Sequence, residues 1–320
     1  MTITFQKIII FTLFAFMAIG ILSGGPALAG DSPQIHYGKV KIDGTGIFYR
    51  EAGDKANPAI VLLHGFPTSS HMFRDLIPQL AKDYYVIAPD YPGFGNSDAP
   101  SRTEFSYTFD NFAHHIDGLL TALKVDEFSI YVFDYGAPVG FRLYQQNPAR
   151  ITSIIAQNGN AYDEGIAGFW DPIKAYWKSH ATSEREAIRW LTTITATKWQ
   201  YENGVPADRL SLISPDGWQH TQSMLDREGN ADIQLDIFYD YRNNIPLYPQ
   251  WQEIFRKQQT PLLVIWGKND EIFVAAGGEA YRKDLPNAEI HMLDTGHFAL
   301  ETHGQEIGKL MKVFLANNTK

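Results

Sequence analysis

Ser129-Ile130-Tyr131-Val132-Phe133-Asp134-Tyr135-Gly136-Ala137 decides how this 320-residue chain is read. A short apolar run, typical of a strand covered on both faces, meets an acid at Asp134. A helical pattern starts near Gly136 and ends before Pro148. A polar residue at a corner between a buried strand and a helix sits on a sharp turn. Glycine is useful beside it because backbone elements approach closely there. The turn exposes the acid and brings it near helix amides that stabilise an anion. Asp is also among the best helix caps, so the corner alone reads equally well as a capped helix start.

The pattern repeats on both sides of this corner. Residues 36–50 alternate with a period of two around a break at Asp43-Gly44-Thr45-Gly46, which predicts a β-hairpin. Apolar runs of strand length occupy Ala59 to Leu63, Tyr85 to Ala88, Ile151 to Ala156, Leu262 to Trp266 and Glu289 to Leu293. Helical patterns cover about 70–81, about 109–123 and about Phe298 to Leu315. Strands alternating with helices predict an α/β fold, a mainly parallel sheet flanked by helices on both faces. Residues 160–258 break the alternation. They hold no convincing strand, several helical segments, and aromatics from Phe169 and Trp170 to Tyr248 and Trp251. A helical insertion at the ligand-binding edge of such a sheet is expected to act as a cap, with apolar walls and a few polar tips. The expected division is therefore a core of residues 30–159 and 259–320 with a helical cap of 160–258.

In an open parallel sheet, functional residues collect just past the carboxyl ends of the strands. Besides Asp134, three stretches fall there. His64-Gly65-Phe66-Pro67 follows a strand and could turn backbone amides towards a developing oxyanion or a substrate, or could be a structural turn. Asp270, in Trp266-Gly267-Lys268-Asn269-Asp270, is by itself an ordinary turn acid. His297, in Asp294-Thr295-Gly296-His297-Phe298, is one of ten histidines. Taken together, the chain order is acid, acid, His, each at a strand end. This matches the Ser…Asp…His order of the α/β-hydrolase fold with Asp in the Ser position. A carboxylate nucleophile would form a covalent ester, His297 would activate water to hydrolyse it, and Asp270 would orient His297.

These blocks, with Ala88-Pro89-Asp90-Tyr91-Pro92-Gly93-Phe94-Gly95-Asn96-Ser97-Asp98, resemble the epoxide hydrolase and haloalkane dehalogenase branch of the α/β-hydrolases over roughly residues 35–318. The family usually has Gly two positions before the nucleophile, where this chain has Val132, and a polar residue just before it, where Phe133 stands. The resemblance implies one alkyl-enzyme ester and two choices of leaving group. A dehalogenase holds halide with a Trp after the nucleophile plus a second Trp or Asn; those positions are Tyr135 and Phe66 here, and Phe66 has no side-chain donor. An epoxide hydrolase donates to the ring oxygen from cap tyrosines. Tyr241-Arg242-Asn243 resembles the segment carrying one of them, and Tyr176 or Tyr162 is a candidate for the other. Epoxide hydrolysis is the expectation, with haloalkane hydrolysis as the alternative and a non-catalytic ligand-binding member as a second alternative. A haloacid dehalogenase usually carries Arg after the nucleophile, which Tyr135 does not supply.

Composition bounds the rest. The formal net charge of −9 argues against general attraction to nucleic acid or anionic membranes, and the chain has no cysteine for disulfides or thiolate catalysis. No metal or organic cofactor is implied: no H-E-x-x-H pair occurs, and the neighbours His114 and His115 point apart on a helical pattern. The expected partners are a small-molecule substrate and water. Lys7, the apolar run from Ile8 to Leu22, and Ala27-Leu28-Ala29 read as a secretory signal peptide of residues 1–29 cleaved after Ala29. The mature chain is then expected to be exported, periplasmic or secreted, with no membrane partner after cleavage; the alternative reading of the same run is an uncleaved membrane anchor.

Overall fold

The computed structural model describes residues 33–318. The signal-peptide expectation lies outside the described residues. Among the described residues, eight strands form one sheet: β1 (His36–Ile42), β2 (Thr45–Ala52), β3 (Ala59–Leu63), β4 (Tyr85–Pro89), β5 (Phe128–Phe133), β6 (Ile151–Gln157), β7 (Leu262–Gly267) and β8 (Glu289–Leu293). Their order is β1-β2-β4-β3-β5-β6-β7-β8. The β1–β2 hairpin is antiparallel and β2 joins β4 antiparallel; β3 to β8 pair in parallel.

The central strands are apolar on both faces, and their two-residue period sorts the side chains into two cores. Val61, Leu63, Ile130, Val132, Ile154 and Val264 face one of them. It is covered by α2 (Phe109–Ala122) and α3 (Gly136–Gln146). Ile60, Leu62, Tyr131, Phe133, Ile155 and Leu263 face the other, covered by α1 (Ile77–Leu80) and α11 (Ala299–Asn318). Continuous apolar strands are what a sheet buried on both sides requires.

The helical pattern over 70–81 is two pieces, a 3-10 turn at Ser70–Phe73 and the four-residue α1. Pro78 in the first turn of α1 has no N–H to continue a helix from the preceding residues. Between β6 and β7 lie α4 (Asp171–Ser179), α5 (Thr182–Ala187), α6 (Ile194–Glu202), α7 (Pro215–Leu225), α8 (Asn230–Asp240) and α9 (Tyr248–Gln258), with 3-10 turns between them and no strand. One further helix, α10 (Ala275–Ala280), joins β7 to β8 and had no counterpart in the sequence pattern. Its six residues, Ala275-Ala276-Gly277-Gly278-Glu279-Ala280, are too few and too small to carry an amphipathic period. Among the described residues, no helix is long and apolar enough to cross a membrane.

Candidate active site

Asp134 sits one residue past β5 and one before the start of the Tyr135 turn into α3. Its φ of +51° is left-handed, a conformation that costs a non-glycine residue of order 1–3 kcal/mol and concentrates at functional sites. The corner can be this sharp because Gly136 lies against β3: a Cβ there would lie 2.8 Å from the Leu63 carbonyl carbon and closer still to its oxygen. Val132 fits two positions earlier because its side chain packs against Gly140 and Gly159, where a methyl would collide with it.

Asp134 is buried, and its Oδ1 accepts from the Phe66 amide at 2.6 Å. The Tyr135 amide also supports this carboxylate. Oδ1 is thus held by a backbone donor of the facing loop, and Oδ2 lies on the His297 side, 3.8 Å from its Nε2. Gly65 makes this approach possible. A Cβ on it would lie 2.7 Å from Asp134 Cγ and closer still to Cβ and Oδ1.

His297 Nδ1 and Asp270 Oδ2 are 2.7 Å apart, with Nδ1–H as donor. Its Nε2, facing Asp134, has no hydrogen-bond partner among the described residues. Asp270 is itself fixed: Oδ1 accepts from the Ile272 amide at 2.7 Å, and Oδ2 accepts from Asn158 Nδ2 at 2.7 Å. Gln157 Nε2 donates to the His297 carbonyl at 3.0 Å. Asn158 and Gln157 were not singled out from the sequence. Their signal was position, as the polar run Gln157-Asn158-Gly159-Asn160 ends the apolar strand β6 at the carboxyl edge of the sheet.

Burial pushes the Asp134 carboxyl up to about 6, against the pull of His297 and the two amides. Burial alone would lower His297, but the charge and hydrogen bond of Asp270, with Asp134 beyond it, raise it above the ordinary imidazole value. The site therefore holds a carboxylate less stabilised than one in water, beside an imidazole made more basic. Perturbed pairs of this kind cluster at functional sites.

The remaining expected residues divide by geometry. Phe66 and Tyr135 flank Asp134, with their rings 6.0 Å apart. Tyr241 joins them, 5.9 Å from the Tyr135 ring and within reach of the Asp134 charge. The Tyr135 hydroxyl is buried with no partner among the described residues. His64 turns away. Its Nδ1–H donates to the Gly65 carbonyl at 3.1 Å, its Nε2 accepts from the Tyr91 amide at 3.3 Å, and burial lowers it to about 4. It is a neutral strut between two loops rather than a group facing substrate. Pro67 follows in the same buried loop.

The structure does not bring Tyr176 or Tyr162 to the triad. Tyr176 packs on Tyr239 and His180, with Arg185 and Asp236 as its charged neighbours. The reason is helical phase: one residue later, roughly 100° around α4, Trp177 stacks on Tyr241 at 6.0 Å. The Tyr162 hydroxyl donates to Asp284 at 2.7 Å. The phenol beside Tyr241 is Tyr248, which the sequence did not single out from the many cap aromatics; the two hydroxyls are 3.3 Å apart.

Trp170, Trp177, Phe238 and Phe273 complete an aromatic surround. Both indoles against Tyr241 are committed, as Trp170 Nε1–H donates to the Ile272 carbonyl and Trp177 Nε1–H to the Phe238 carbonyl, each at 2.7 Å. Among the described residues, no three His, Asp or Glu side chains gather as a metal site.

Residues 58–304 match the family model described as alpha/beta hydrolase fold. An uncharacterized hydrolase of Saccharomyces cerevisiae is 48% identical over 280 residues, covering 86% of this chain and 95% of the relative. Haloalkane dehalogenase 1 of Mycobacterium bovis is 37% identical over 274 residues, covering 79% and 82%. Epoxide hydrolase 3 of Xenopus tropicalis is 23% identical over 314 residues, covering 92% and 82%.

Proposed function

Because this chain belongs to the α/β-hydrolase family, we propose that it hydrolyses small, neutral, largely apolar epoxides through a covalent ester on Asp134. Asp134 Oδ2 attacks a ring carbon, the carbon–oxygen bond breaks, and the ring oxygen takes a proton from a buried phenol. Tyr135 and Tyr241 are the phenols at hand. Water then gives its proton to His297 Nε2 and adds to Asp134 Cγ. The negative charge that develops on Oδ1 meets the Phe66 amide, with the Tyr135 amide also at this carboxylate. Collapse breaks the Cγ–Oδ2 bond, the departing diol oxygen takes the proton back from His297, and the second water proton, left on the Asp134 carboxyl, returns to the phenolate; Asp270 stabilises the imidazolium in between.

One observation carries the choice of an oxygen leaving group. The hydroxyl donors near Asp134 are phenols, whereas both indole N–H groups in the surround are bound to backbone carbonyls. A phenol can give a proton to an alkoxide; halide needs only a hydrogen bond. Carbon–halogen hydrolysis on the same triad is the second reading, favoured by the Mycobacterium bovis relative named as a dehalogenase. A matched panel of styrene-oxide-like epoxides and simple haloalkanes separates the two. Diol release that is lost in Asp134→Asn supports the first, and halide release without diol formation overturns it. Export is part of the same proposal, and mass measurement of the protein recovered outside the cytoplasm should give a chain beginning at Gly30.

A further inference from the structure

Tyr241 and Tyr248 are seven residues apart, and both are fully buried. Two 3-10 turns, Tyr241–Asn243 and Ile245–Leu247, fold the segment so that the two phenols meet. A third group lies behind them. Asn160, just past β6 in the core, donates from Nδ2 to the Tyr248 oxygen at 3.2 Å.

The direction of this chain of hydrogen bonds follows from counting hydrogens. Asn160 Nδ2 also donates to the Tyr162 carbonyl at 2.8 Å, and Oδ1 accepts from the Tyr162 amide at 3.4 Å. A flipped amide would set two carbonyl oxygens against each other, so the orientation is fixed and both amide hydrogens are used. Tyr248 therefore accepts at its oxygen, and its own hydrogen has Tyr241 as the acceptor at hand. With Tyr248 donating, the Tyr241 hydrogen is left free on the side of Asp134 and Tyr135. With Tyr241 donating instead, the Tyr248 hydrogen would be buried with no acceptor among the described residues, whereas the Tyr241 hydrogen left by the first arrangement is within reach of the Asp134 charge.

We propose that Asn160 and Tyr248 form a relay that turns the Tyr241 hydroxyl hydrogen towards the leaving oxygen of the substrate, making Tyr248 a positioning residue that touches Tyr241 and not the substrate. This inference rests on the preceding reading of Asp134 as nucleophile. The relay acts on the reaction as well as on orientation. Burial pushes the Tyr241 phenol well above its ordinary value, so it gives up a proton reluctantly. When it does, the Tyr248 hydrogen bond to its oxygen becomes charge-assisted and strengthens. An interaction that strengthens only as charge develops lowers the barrier rather than tightening substrate binding.

The test is rapid-quench mass measurement of the ester on the Asp134 peptide of the full chain, with styrene oxide as the probe. In a His297→Ala background, Tyr248→Phe should slow ester formation by about 10- to 100-fold, as expected for a hydrogen bond to a charged group. With His297 intact, chased breakdown of the ester should keep its rate, and Tm should stay close to that of the parent. Asn160→Asp offers Tyr248 an acceptor, reverses the chain, and should slow ester formation at least as much. Unchanged ester formation in both variants overturns the relay alone. Equal slowing of both steps with a lowered Tm also overturns it, because that is the signature of a packing role. If the His297→Ala parent forms no ester, the reading of Asp134 fails and the relay falls with it.

Discussion

Gly65→Ala tests how the site stabilises charge. The new Cβ would lie 2.7 Å from Asp134 Cγ and nearer to Oδ1, so either the carboxylate or the Phe66 loop must retreat. Retreat breaks the 2.6 Å bond from the Phe66 amide to Oδ1. That amide is a backbone donor on the oxygen where charge develops during ester hydrolysis, and losing one such donor typically costs about 10²–10³ in rate. Attack by Oδ2 on the substrate draws charge away from the carboxylate, so ester formation should suffer far less. The expected outcome is an ester that accumulates on Asp134 with His297 intact. Overpacking should also lower stability by roughly 1–3 kcal/mol. Single-turnover rapid quench with mass measurement of the Asp134 peptide reads both steps, and thermal unfolding reads the stability. Slower ester formation with normal breakdown would refute the assignment of Oδ1 to the oxyanion position.

Three other outcomes follow from the site. Burial raises the Asp134 carboxyl to about 6 in the folded chain, from an ordinary value of 3.8, so the native state holds its proton more tightly than the unfolded chain, and stability should fall as pH rises from about 4 to 6. That difference corresponds to about 3 kcal/mol, so Asp134→Asn should raise Tm at pH 7, with the gain vanishing below about pH 4 in paired melting curves. Ester formation needs ionised Asp134 and should show an acid limb near pH 6. Ester breakdown needs neutral His297, whose value is raised, so its acid limb should lie above the ordinary imidazole value; pH profiles of the two single-turnover steps check this. Asn158→Ala removes the 2.7 Å donor to Asp270 and should slow ester breakdown about tenfold while leaving formation within about twofold, read by the same quench experiment.

The sheet was legible because its strands are apolar on both faces. Ile130 and Val132 point to one core, Tyr131 and Phe133 to the other, and an uninterrupted apolar run is the trace such a strand leaves. Asp134 could be picked out because it ends such a run, Asp270 and His297 because each lies a few residues past a strand end, and chain order linked residues that folding brings together. Tyr176 shows where a sequence reading stops. Along α4, Tyr176 and Trp177 are equally aromatic, and only the rotation of the helix against the core turns Trp177 to Tyr241. The pairing of Tyr248 with Tyr241 depends on two 3-10 turns whose sequences, Tyr241-Arg242-Asn243 and Ile245-Pro246-Leu247, carry no periodic signal. His64 misled for another reason. A histidine after a strand suggests a substrate contact, but both ring nitrogens are spent joining the Gly65 and Tyr91 backbones.

The most direct measurement is a single turnover in heavy-oxygen water, with enzyme in excess over styrene oxide, followed by mass measurement of the peptide containing Asp134. Attack by Asp134 on the substrate, and by water on the ester carbon, leaves one heavy oxygen in the Asp134 carboxylate and none in the first diol released. Heavy oxygen in that first diol with an unlabelled Asp134 would mean that water attacks the substrate directly, and covalent catalysis at this carboxylate would be contradicted.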